Sequence, residues 1–154
     1  MTINILIVED SDAKLESIRT LLEREISGLS IDFCYSVKSA INKLECTYPD
    51  LIVADMSLPT FDIERKERGG TPRPFGGIEV FEHLDRFDLP VPVIVVTSYP
   101  SLGDGEDALN LDQLRKRLRK EFPLNYIGAV YFDSAYSKWE EDFINLIHQS
   151  ISKK

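Results

Sequence analysis

The chain has 154 residues, 43% of them apolar and 29% charged, enough to bury a sizeable core and too hydrophobic for a disordered chain. Eighteen basic against 26 acidic side chains leave a formal charge of −8, which disfavours sequence-independent binding to nucleic acid or anionic lipid. The longest apolar stretch, VPVIVV at 91–96, is far too short to span a membrane, and the opening MTINILIVED has no basic leader. A cytoplasmic protein with one domain over 1–154 and no output domain is expected. Cys34 and Cys46 lack metal-ligand spacing and read as two reduced thiols.

In chain order, the first β-branched run, Ile3–Val8, leads into Glu9 and Asp10. Leu15, Ile18, Leu21, Leu22 and Ile26 then mark the apolar face of a helix. A second run covers 31–35, and Val37, Ala40, Ile41 and Leu44 follow at i, i+3, i+4 and i+7. The third run, Leu51–Ala54, ends in Asp55, after which Ile78, Phe81 and Leu84 give another helical face. The fourth, 91–97, ends in Thr97 and Ser98 and is followed by Leu111, Leu114 and Leu118. The fifth, 127–132, precedes Trp139, Phe143, Leu146 and Ile147.

Strand and helix thus alternate five times. Runs that are apolar throughout indicate a parallel sheet covered on both faces, and connections of this length fit right-handed crossovers. The expected fold is a doubly wound α/β domain, whose ligands sit at the carboxyl ends of the strands. Three strands deliver oxygen-bearing side chains to that edge: Glu9 and Asp10, Asp55, and Thr97 with Ser98.

Carboxylates converging on one edge repel each other unless a cation sits among them. Hard oxygen ligands suit Mg²⁺, and Asp55 is a candidate nucleophile toward a phosphoryl donor, with the Thr97 hydroxyl stabilising the transferred oxygens. Each residue also has a plainer reading. Asp10, Ser11 and Asp12 can be the cap and first turn of a helix, Glu9 a solvated loop acid, and Asp55 the cap of a turn leading to Pro59. Only the conjunction points to a metal and phosphoryl site.

With ILIVEDS, LIVADMSLP, VIVVTS and GAVYF in this order, the chain resembles the receiver domain of two-component response regulators, the CheY-like family, from Ile3 to about Ile151. The resemblance implies a flavodoxin-like, five-stranded parallel sheet of order 2-1-3-4-5. It implies that Asp55 accepts a phosphoryl group from a histidine kinase or phosphotransfer protein, with Mg²⁺ as cofactor. Glu9 and Asp10 would match the metal-organising acidic pair, with Asp55 and the Ser57 backbone carbonyl completing the ligands. Thr97 would match the switch hydroxyl and Tyr131 the aromatic switch. The expected output is contact with a downstream protein, with a homodimer compatible, no membrane and no nucleic acid.

One element of the family pattern is missing. A lysine is expected at the end of the last strand, but Ser134 stands there, or Ala135 without a gap, and Lys138 lies beyond, in the first turn of the last helix. A phosphorylation-independent interaction module is therefore the alternative reading. The segments 60–76 and 99–125 are also longer than the pattern requires, and both leave strand ends near the acidic edge. They carry Arg65, Lys66, Arg68, Arg73, Arg115 and Arg117, any of which is a candidate for the missing cation. The LRKRLRK helix (114–120) reads as an amphipathic surface helix or as a docking face for an acidic partner.

Two enzyme classes fit poorly. Aspartate-nucleophile phosphatases place a second carboxylate two residues after the first, where this chain has Ser57. Flavodoxins need a phosphate loop after the first strand, where EDSDAK would repel a phosphate. The chain is expected not to be an enzyme.

Overall fold

The computed structural model describes residues 2–59, 75–99, 101–103 and 108–151. The apolar runs become strands β1 (Ile3–Val8), β2 (Leu29–Cys34), β3 (Leu51–Ala54), β4 (Val93–Thr97) and β7 (Tyr126–Tyr131). The periodic segments become helices α1 (Asp12–Glu25), α2 (Val37–Cys46), α3 (Gly76–Arg86), α4 (Leu111–Glu121) and α5 (Lys138–Ile151). All five strands pair in parallel in the order β2-β1-β3-β4-β7, which is the expected 2-1-3-4-5 arrangement. A short antiparallel hairpin, β5 (Ser101–Leu102) with β6 (Leu109–Asn110), stands outside that sheet and was not anticipated.

Period-two alternation divides the buried side chains between two layers. Leu6, Ile52 and Val95 point toward Ala40, Phe81 and Leu118 of α2, α3 and α4. Ile7, Val53 and Val96 point the other way, toward Ile18 and Leu22 of α1 and Phe143 of α5. Both faces are therefore covered, as uninterrupted apolar strands require. Strand β4 starts at Val93 rather than Val91 because Pro90 and Pro92 supply no backbone donor there. Asn125 ties this segment down: its carbonyl accepts from Val93 N (2.7 Å), and its amide donates to the carbonyls of Leu89 (2.7 Å) and Val91 (2.9 Å).

The turn after β3 is fixed on both sides. Pro59 O accepts from Val37 N (3.0 Å), Met56 O accepts from Gly77 N (2.9 Å), and the side chains of Met56 and Leu58 are fully buried. Gly77 sits so close to this turn that an added Cβ would collide with the Asp55 carbonyl oxygen and the Met56 main chain. Of the candidate cations, Arg65, Lys66, Arg68 and Arg73 lie outside the described residues. No helix among the described residues is long and apolar enough to cross a membrane.

Gly77→Ala is expected to push α3 away from the β3 turn and cost about 1–3 kcal/mol, as overpacking of a closed contact does. A urea-unfolding midpoint unchanged from wild type would contradict this packing.

Candidate functional site

The sheet register builds the site. Val8 pairs with Ala54, and Asp55 N donates to Val8 O (3.1 Å), so the residues that follow β1 and β3 emerge side by side. Glu9 and Asp55 are both buried at this edge, 2% and 4% exposed, and Asp10 is half-buried. The helix cap goes to Ser11, whose hydroxyl accepts from Lys14 N (3.4 Å), and Asp12 occupies the first turn. Asp10 is thus not spent as a cap. One oxygen from each of Glu9, Asp10 and Asp55 lies within 4.8 Å of the others.

Burying an ionised carboxylate requires compensation. For Asp55 it comes from two directions. Oδ1 accepts from Met56 N (2.6 Å) and, at 3.4 Å, from Ser57 N, so the turn-capping reading holds for this oxygen. Oδ2 accepts from the Lys14 ammonium at 2.9 Å. Lys14 is itself only 4% exposed. Its Nζ also donates to Val96 O (2.7 Å), lies 2.8 Å from Glu9 Oε2 and sits 5.9 Å from the centre of the Phe132 ring.

Lys14 is the residue that sequence reasoning missed. It is one turn before Ile18 and two before Leu21, so a charged residue stands on the apolar stripe of α1. That i, i+4, i+7 placement was the available signal. Its long stem runs along the buried face and carries the ammonium up to the strand ends. The other candidates among the described residues do not reach the pocket. Arg115 donates to Ala129 O (2.9 Å) and pairs with Asp112, and Arg117 pairs with Glu121 (2.7 Å). Lys138 is 82% exposed and faces Asp142 across 3.9 Å. None of the three lines the acidic cavity.

That cavity, about 330 Å³, is lined by Glu9, Asp10, Lys14, Asp55 and Ser57 among others. A larger cleft of about 600 Å³ between α1 and the start of α5 carries no such acidic cluster, but shares Ser17, Phe132 and Ser134 with it. Thr97 is fully buried, lies beside the cavity rather than in its lining, and its hydroxyl accepts from Tyr99 N (3.2 Å). Tyr131 is the register partner of Thr97 on β7 and is 40% exposed.

Glu9 carries the electrostatic strain. Burial raises its pKa from 4.5 to about 7; Asp55 pushes in the same direction, while Lys14 opposes it. Oε1 accepts from Ser11 N (3.1 Å). Oε2 is buried and, although close to Lys14 Nζ, has no donor aligned for a hydrogen bond. This oxygen, ion-paired to Lys14 and beside two further carboxylates, belongs to a donor set that suits a hard divalent cation such as Mg²⁺.

The structure is a doubly wound α/β domain with acids gathered at the carboxyl edge of its sheet. The chain belongs to the response regulator receiver domain family, whose model matches residues 5–129. It is 30% identical over 140 residues to the Detocs response regulatory protein DtcB of Vibrio alginolyticus, covering 89% of this chain and 94% of that one. It is 25% identical over 136 residues to protein y4jR of Sinorhizobium fredii, covering 88% and 90%. Among solved structures, a two-component response regulator of the LuxR family from Aurantimonas superposes with a TM-score of 0.66 at 21% identity, over 100% of this chain and 88% of that one. Receiver domains are phosphoacceptor and signalling modules of two-component phosphorelays rather than enzymes, and the chain is of that class.

Because the folded-state pKa of Glu9 lies above its ordinary value, its contribution to stability is full below pH 4.5 and is lost as pH rises through about 7. Without divalent cations, wild type should therefore lose stability relative to Glu9→Gln across that window. Melting temperatures of the two proteins that stay parallel from pH 4.5 to 7 would contradict the burial argument.

Proposed function

We propose that the protein is a phosphorylatable receiver in which Asp55 is the phosphoacceptor, supplied by a histidine kinase or a phosphotransfer protein. The observation that carries this reading is the Asp55 carboxylate itself, buried at the edge, with one oxygen held by main-chain donors and the other by an ammonium. In the transfer, an Asp55 oxygen forms a bond to phosphorus as the donor's P–N bond breaks, and the departing imidazole takes up a proton. Glu9, Asp10, Asp55 and the Ser57 backbone carbonyl would hold Mg²⁺. When bound, the ion supplies positive charge to the oxygens of the transferring phosphoryl group.

The remaining roles fall to this chain's own groups. Main-chain donors of the β3 turn orient the nucleophile, while Thr97 offers a hydroxyl proton one strand away. Tyr131, exposed and in register with Thr97, would convey the change to the surface around α4 and β7. Output through contact with a downstream protein, with a second copy of the chain as a further partner, follows from the family's mode of action. The alternative, an interaction module that works unphosphorylated, is favoured by Ser134 standing where a lysine is expected.

Incubation with Mg²⁺ and acetyl phosphate, followed by intact-protein mass measurement, separates the two. A phosphoryl adduct on wild type that is absent from Asp55→Asn supports the receiver reading. Unmodified protein in both samples supports the interaction module.

A further inference from the structure

We propose that Lys14 is the phosphoryl anchor of this protein: the ammonium that compensates Asp55 at rest also holds the phosphoryl oxygens of the acyl phosphate, reaching them from helix α1. The inference rests on Asp55 being the phosphoacceptor.

Charge is the first argument. Converting a carboxylate to an acyl phosphate adds negative charge at a position that is already 4% exposed and flanked by two further acids. A cation has to be within contact range, because a buried excess of negative charge is costly. Among the described residues, Lys14 is the cation that touches Asp55. Arg115 and Arg117 are bound to α4 and β7 partners, Lys138 is exposed, and Ser134 and Ala135 bring no charge.

Geometry is the second. Phosphoryl oxygens arriving on the Asp55 carboxylate come within reach of an ammonium that is already 2.9 Å from Oδ2. Its bond to Val96 O holds the head of the side chain at the strand edge, while the contact with Glu9 lacks hydrogen-bond alignment and can be exchanged. A lysine, with three donors on a rotatable stem, can trade the Glu9 contact for a phosphoryl oxygen and keep the other two. The covalent change is confined to the phosphorus, Asp55 and the donor.

The test uses the full chain with Mg²⁺ and acetyl phosphate, comparing wild type, Lys14→Met and Asp55→Asn by adduct yield and decay. Lys14→Met is expected to lose yield or lifetime by at least about tenfold, since removing one donor from developing anionic oxygens typically costs that much or more. Equal yield and lifetime in Lys14→Met and wild type would overturn the anchor while leaving Asp55 as acceptor. No adduct on wild type would instead remove the receiver reading, and the anchor with it. Should Lys14→Met fail to fold, the Lys14 ¹⁵Nζ resonance of the wild-type protein decides: a shift on adding beryllofluoride and Mg²⁺ supports the contact, and an unmoved signal overturns it.

Discussion

One ammonium group makes the carboxyl edge of this sheet feasible. The strand ends bring Glu9 and Asp55 together out of water, and each is anionic in its ordinary state. Coulombic repulsion of that kind, in a poorly solvated place, would either neutralise one acid or open the edge. The Lys14 ammonium lies between them, 2.8 Å from one and 2.9 Å from the other. Compensation is incomplete, and Glu9 bears the remainder as a raised proton affinity. Resting strain at one acid and a fully paired carboxylate at the other are two results of the same arrangement.

The sheet was readable because its signal is redundant. Five apolar runs, each followed by a helical stripe, leave few topologies, and the acids fell at strand ends where such folds bind ligands. The cation was not readable in the same way. A lysine at the third position of a helix that begins SDAK has the look of a solvated first turn. Only the packing of α1 over the sheet makes residue 14 an inward position, alongside Ile18 and Leu21. Arg115 and Arg117 misled for the opposite reason: they lie near the pocket in sequence terms, yet α4 turns them toward its own acids and toward β7. The β5–β6 hairpin escaped notice because two-residue strands carry too little pattern to register.

The family relationship and the missing lysine are compatible once charge is followed rather than position. What the site requires is a positive group at the Asp55 carboxylate, and the fold offers two routes to that place, from the end of the last strand and from the first turn of α1. A cation supplied by α1 also leaves the strand side open. Ser134, Phe132 and Ser17 line both the acidic cavity and the wider cleft beside α5, so the two depressions adjoin.

The bond from Lys14 to the Val96 carbonyl joins positions 82 residues apart, and the bond to Asp55 spans 41. Contacts of such separation can form only after the intervening chain has been closed into place, a cost in loop entropy that local helices do not meet. β1, β3 and β4 must already stand side by side before the ammonium finds all its partners. The pocket is therefore complete only when three strands and α1 are all in place, so its charge arrangement belongs to the tertiary fold and to no local segment of the chain.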